Sequence, residues 1–324
     1  MAQPAGTFST YQARGIRENL ADVIYNISPI DTPFMNNIGR ETASNTYFEW
    51  QTDALNAPDT GNAAIEGDDA PTASASPTTR LGNYTQISRK NVTVSGTLEA
   101  VNKAGRRSEL SYQLAKRGAE LKRDMEAILC SGQAAVAGGD GTARKTAGIE
   151  AFIMAPTAVR GAGGADPTLS GGTAGYPNAA PTDGDARPFT EDLLKQGLQL
   201  VWTAGGDPSI VMVGPHNKQV VSTFTGIATR FRDVPAGKQA QIIGAADVYV
   251  GDFGEVTIVP NRFKRDNTAL ILDPEYLGIA YLRNFQTIEL ARTGDAEKRE
   301  LLVEYGLKVH NHNAQGIVAD LTTA

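Results

Sequence analysis

The chain has one cysteine, three histidines, no long apolar run and no excess of basic residues. Each shortage excludes something. A single cysteine cannot build an intrachain disulfide framework and fits a reducing cytosol. Nothing approaches the ~20 consecutive apolar residues of a membrane-spanning helix. The opening MAQPAGTFSTYQARG lacks the apolar core of a signal peptide, so the sequons at Asn26, Asn83 and Asn91 read as chance matches. The formal net charge of −6 argues against a dedicated nucleic-acid binder, while leaving passive contact with a polyanion open. No fixed-period repeat is visible.

Hydrophobic residues make up 41% of the 324, enough for a real core, whereas 34 glycines and 16 prolines imply much turn and loop. The strongest single signal is Ser108 to Gly132. Leu110, Leu114, Gly118, Leu121, Met125, Ile128 and Leu129 recur at three- and four-residue steps, which aligns them on one face of a helix. Ser108 is the expected N-cap, Glu109 is acidic in the first turn, and Gly132 is the expected stop. Lys116–Glu120 and Lys122–Glu126 stand four apart, as surface ion pairs would. At ~1.5 Å per residue the rod is about 35 Å long. We read it as a strut laid on a sheet.

The rest of the chain divides around it. Residues 1–45 form an arm with a short helical patch at RENLADVIY (Arg17–Tyr25). Its apolar residues, among them Val23, Ile27, Phe34 and Ile38, are scattered around two prolines, so they need another surface to cover them. Residues 46–95 read as a long hairpin: TYFEWQTDAL going out, YTQISRKNVTVS (Tyr84–Ser95) returning. Between them lie 28 residues with hardly any large apolar side chain. The tip is acidic, at Asp59, Glu66, Asp68 and Asp69, and the returning base is basic, at Arg80, Arg89 and Lys90. An isolated hairpin is marginal in water, so a projecting one needs a partner. Residues 96–148 hold the long helix. Residues 149–263 form a mixed α/β unit, with a low-complexity surface stretch at 156–188 and a helix capped by Thr190. Its apolar side is expected at Leu193, Leu194, Leu198, Val201 and Trp202. Residues 264–324 return as strands at Ala269–Leu272, Ile279–Leu282, Phe285–Ala291 and Arg299–His310. These are the expected sheet for the long helix, with Glu300, Glu304, Lys308 and His310 on the polar side.

Candidate chemistry is thin. GDGTARKT (Gly139–Thr146) resembles a phosphate loop, but Arg144 stands where the second glycine belongs and a helix precedes it. Cys130, at a helix C-terminus, has the wrong dipole for a thiolate and reads as packing. His310 and His312 alternate on a strand without further metal-type ligands nearby, which favours a polar strand face or subunit contact over a metal. No serine–histidine–acid set has a context that singles it out. Catalytic, metal and cofactor sites are therefore all expected to be absent.

The order of parts, together with NISPIDTPF (Asn26–Phe34), FEWQTDAL (Phe48–Leu55) and NKAGRRSELSYQLAKRGAELKRDME (Asn102–Glu126), resembles the major capsid proteins of tailed bacteriophages. These share the Hong Kong 97-like fold. The resemblance implies an α+β subunit with an N-terminal arm, an extended loop, a spine helix, an axial domain at 149–263 and a peripheral β-rich domain. It implies a homo-oligomer, as hexamers and pentamers closing an icosahedral shell around packaged double-stranded DNA. A separate scaffolding protein, a portal and, in some cases, a decoration protein would be partners. The place would be the virion, after assembly in the host cytoplasm. Contacts between subunits are expected at Phe34, Asp59, Glu66, Asp68, Asp69, Arg80, Arg89 and Lys90. Two rivals stand beside this: a tail-tube or surface-layer protein, and a hydrolase with a site near His216 in the α/β unit.

Overall fold

The computed structural model describes residues 31–53, 55, 58–67, 69, 77–103, 105, 107–224 and 248–323. The helical patch expected at Arg17–Tyr25 and the tip residue Asp68 lie outside the described residues.

The described chain opens on a short helix, α1 (Pro33–Asn37), with proline in its first turn, where a missing N–H costs nothing. Strand β1 (Gly39–Thr42) follows. Next come β2 (Tyr47–Thr52) and β3 (Thr79–Tyr84), paired antiparallel from Tyr47–Tyr84 to Thr52–Thr79. Strand β4 (Gln86–Ser95) leads through α2 (Gly96–Ala100) to α3 (Glu109–Leu129), the predicted strut. The Ser108 hydroxyl accepts the Ser111 N–H and caps α3 as expected. The helix stops earlier than expected, with Cys130 as its C-terminal cap.

Beyond α3 the elements are β5 (Ala158–Val159), β6 (Thr168–Leu169), β7 (Pro177–Ala179), α4 (Glu191–Thr203), β8 (Ile210–Val213) and α5 (Pro215–Val221). Then come β9 (Val248–Gly251), β10 (Gly254–Pro260), β11 (Ala269–Leu272), β12 (Leu277–Leu290), β13 (Ala296–Val309) and β14 (Gly316–Val318). Two sheets organise them. One has the order β1-β12-β13-β4, the other β5-β14-β11-β8-β10-β9. The long hairpin β12–β13 turns at Gly294, whose φ of 92° suits glycine.

Helix α3 lies on β4 and β13. Leu110, Leu121, Met125 and Leu129 are buried there, and Val92 and Val94 of β4 pack against Leu110. Three expectations need correction. First, the strand that returns from the hairpin is β3, not Tyr84–Ser95. The chain breaks at buried Thr85, whose hydroxyl donates to Glu304 at 2.9 Å, and β4 then joins β13. Second, Ala269–Leu272 is not in the sheet on which the strut lies. As β11 it sits inside the six-stranded sheet between β14 and β8, buried on both faces, and β14 returns to that sheet too. Third, the 156–188 stretch is a folded lobe. Val159 and Leu169 are buried, and the Asp320 carboxylate accepts the N–H groups of Gly161 and Gly184, each at 2.8 Å.

Candidate assembly surfaces

The hairpin has two parts with different surroundings. Its base is core. Trp50 and Leu81 are buried partners across β2 and β3, and the Trp50 ring lies 6.1 Å from that of Phe152. Asn83 is fully buried. Its side-chain amide donates to the Leu307 carbonyl at 2.7 Å and to Thr146 Oγ1 at 3.1 Å, while its Oδ1 accepts the Ala147 N–H at 2.9 Å. A buried amide with every group satisfied fixes one geometry. The expectation that this region takes its order only from outside the subunit therefore fails at the base. Past the base, every described residue from Asp53 to Thr78 is exposed, including Leu55 at 100% and Ile65 at 78%. Asp59, Glu66 and Asp69 are on this exposed part.

The basic residues are distributed differently from the expectation. Arg80 is on β3, 3.6 Å from Glu49 across the ribbon. Arg89 and Lys90 belong to the body sheet, where Arg89 pairs with Glu300 at 3.4 Å and Lys90 with Asp124 of the strut at 2.6 Å. Both lie on the body sheet, because β4 is a sheet strand and not the hairpin's return.

Phe34 is likewise turned inward. It is fully buried, with Met35 and Ile38, in the core that also holds Leu121, Met125 and Leu129 of α3. The backbone N–H groups of Phe34 and Met35 donate to the two oxygens of Glu126 at 2.7 and 3.0 Å, and Asn261 donates to the same carboxylate at 2.7 Å. Glu126 is therefore not the surface partner of Lys122. Burial pushes its carboxyl up, against the pull of those three donors. A second anchor holds β1: Glu41 accepts from Lys308 at 2.7 Å and meets His310 Nε2 at 2.5 Å. Glu41 crosses over Gly278 of β12, where a Cβ would come within 2.7 Å of its Oε1.

The remaining candidates take structural places. Cys130 is fully buried, and burial, with Glu126 beside it, pushes its thiol well up. The Arg144 of the phosphate-loop lookalike donates from Nε to the Thr85 carbonyl at 3.1 Å and pairs with Glu304. Glu304, expected on a polar face, is buried between Arg144 and Arg283. His310 is engaged with Glu41, and His312 lies past the end of β13 with a buried Nδ1, so the two do not share a strand face. His216 is the second residue of α5. Trp202 departs from the apolar side of α4: it is 57% exposed and its ring meets that of Phe253 at a tilt, with ring centres 5.4 Å apart. Among the described residues no group of three or more His, Cys, Asp or Glu is placed to hold a metal ion, and no helix is long and apolar enough to cross a membrane.

Sequence reasoning missed Glu126, Asn83, Glu304 and Asp320 as organising residues. Apart from Arg283, 21 positions from Glu304, the partners named above lie 60 or more positions away, so no local spacing signals them.

The comparisons with known proteins agree with this architecture. The chain matches the SU10 major capsid protein family over residues 3–322. It is 32% identical to the major capsid protein of Escherichia phage Phieco32, over 98% of this chain and 97% of that one. The fold matches the Cyanophage A-1(L) capsid asymmetric unit with a TM-score of 0.67 at 14% identity, covering 97% of this chain and 99% of that chain. It also matches the capsid of a native GTA particle with a TM-score of 0.60 at 15% identity, covering 95% and 96%. The fold is thus Hong Kong 97-like, and the chain belongs to the SU10 major capsid protein family, as a major capsid protein of a phage head shell.

Proposed function

We propose that copies of this chain assemble as hexamers and pentamers into a closed icosahedral shell around double-stranded DNA. In each capsomer the projecting part of the hairpin laps onto an adjacent copy. The observation that carries this reading is the contrast within the hairpin. Residues 47–52 and 79–84 are rooted in the core, while every described residue from Asp53 to Thr78 is exposed, two large apolar side chains among them. A rooted base with an exposed acidic and apolar tip is a surface made for a partner. Asp59, Glu66, Asp68 and Asp69 would meet basic side chains there. The residues before Asp31 reach a neighbouring copy as well, since Val23, Ile24, Ile27 and Ile30 are apolar and scattered around Pro29.

The net charge of −6 suits a container that does not grip its cargo through phosphate contacts. The chain acts structurally and not as a catalyst. A separate scaffolding protein, a portal and a decoration protein complete the particle, and assembly takes place in the host cytoplasm. The test replaces Pro58–Pro77 with a short Gly-Ser linker, leaving β2 and β3 intact. Folded subunits or capsomers that fail to close into shells by electron microscopy are expected. Normal shells from that variant would overturn the role given to the hairpin.

A further inference from the structure

A two-stranded ribbon is marginal alone, and the direction in which one leaves its body is soft unless something braces it. Here the brace comes from the low-complexity lobe. The edge of β3 is met by the turn between β6 and β7. The Gly82 N–H donates to the Gly175 carbonyl at 2.9 Å, and the Gly175 N–H donates to the Arg80 carbonyl at 2.8 Å. Gly175 has φ of 90°, and a Cβ there would lie 2.2 Å from Ser170 Oγ. The positive φ favours glycine, and a Cβ there would displace the Ser170 side chain inside the turn.

The next residue adds a side-chain contact. The Tyr176 ring stands edge-on to Tyr84 at 5.0 Å and to Tyr47 at 6.1 Å, while Tyr47 and Tyr84 are 4.7 Å apart across the ribbon. Tyr47 lies over Gly82, where a Cβ would come within 2.5 Å of its hydroxyl oxygen. The same hydroxyl donates to Glu49 at 3.1 Å. The ribbon is thereby held on one face by Trp50 and Leu81, on the other by the tyrosines, and along one edge by Gly175.

We infer that the turn Ser170–Tyr176 sets the direction in which the hairpin leaves the subunit, with Tyr176 as its positioning residue. The inference rests on the reading that the hairpin laps onto a second copy. A small error of direction at residue 50 becomes a large displacement some 15 residues out. It then recurs at each copy around a closed shell, where many weak contacts must engage together.

The test compares wild type, Tyr176→Ala, Tyr176→Phe and the Pro58–Pro77 linker variant. Circular dichroism and thermal melting report the subunit; electron microscopy reports shell yield and diameter. For Tyr176→Ala we expect a folded subunit and a fall of about tenfold or more in closed shells of uniform diameter. Tyr176→Phe keeps the ring contact and should behave as wild type. If the alanine variant does not fold, Tyr176→Leu, which keeps bulk without the edge-on ring, carries the same test. Failure of the leucine variant to fold too would overturn the inference by making Tyr176 a stability residue. Uniform shells from a folded Ala or Leu variant, alongside shell failure of the linker variant, would overturn the inference and leave the hairpin's role standing. Normal shells from the linker variant would overturn both.

Discussion

Two stretches of this chain look alike in sequence and end differently. Residues 53–78 and 156–188 are both built from Gly, Ala, Pro, Thr, Ser and Asp with few large apolar side chains. Yet the second is a folded lobe, and the described residues of the first are all exposed. Composition does not separate them; donated partners do. The lobe receives the buried Asp320 carboxylate from the last strand's end, the Arg187–Leu321 bridge, and a place for Val159 and Leu169 in the cores. The inner arm, also weak by itself, receives Glu126 and the Lys308–His310 pair. A segment that cannot bury its own surface folds only where the rest of the chain supplies the missing groups. That logic is what supports the proposal that the exposed stretch is completed by a second copy.

The comparison breaks most visibly if the inner arm is removed from its partners. Deleting residues 1–39 takes Phe34, Met35 and Ile38 out of the core and leaves the Glu126 carboxylate buried without its two backbone donors. Cavities and an unpaired buried charge together should cost on the order of 5 kcal/mol or more, enough to abolish a cooperative melt. A truncated subunit that melts as wild type does would show that the arm is not part of the subunit's own core.

Asp320→Ala should come next. It strips two N–H groups of a buried acceptor and puts alanine at φ 61°, which aspartate tolerates better. A loss of about 2–4 kcal/mol in denaturant unfolding is expected. Limited proteolysis should then cut first within 156–188. Unchanged stability would mean the lobe is held by its own residues, and the contrast with 53–78 would need another cause.

Glu41→Gln is a smaller perturbation with a pH signature. Burial raises the Glu41 carboxyl, but the Lys308 and His310 bonds outweigh it and hold it below the usual carboxylate value. A depressed acid contributes stability above its unfolded pKa, near 4.3, and loses it as pH falls through the folded value. Wild type should therefore exceed the variant by up to ~1 kcal/mol at pH 6, a gap that closes on acidification. A pH-independent gap would remove the ion cluster from the account of β1.

The strut could be read in advance because its signals are local: a capping serine, an acid in the first turn, and apolar residues every third or fourth position. The hairpin's return was misplaced because β3, TRLGNY, has no alternation of apolar and polar residues, whereas Tyr84–Ser95 does. Phe34 could not be placed, since its core lies on α3, far along the chain. Glu126 looked like a surface acid because Lys122 sits one turn away; nothing nearby reveals that its donors are backbone groups 91 and 92 residues earlier. Local regularity is visible in a sequence, and long-range donation is not. The tip reads as needing a partner because its described residues are exposed and it offers so few large apolar side chains of its own.

The smallest effect on the subunit is expected where the comparison is sharpest. Changing Asp59, Glu66, Asp68 and Asp69 together to their amides touches a stretch whose described residues are all exposed. Subunit stability should move by less than about 0.5 kcal/mol. Shells should nevertheless become weaker, because exposed ion pairs worth ~0–1 kcal/mol each are repeated at every copy. Salt separates this from a packing defect. Screening at 1 M shortens the Debye length to about 3 Å, so wild-type shells should lose stability with added salt and converge on the amide variant, whose own stability stays flat. Agitation or denaturant challenge of purified shells at 0.05 and 1 M salt, scored by electron microscopy, measures both curves. Parallel curves would assign the tip's contribution to Leu55 and Ile65 instead of its acids, and would leave the rooted base and the projecting tip distinct for apolar reasons alone.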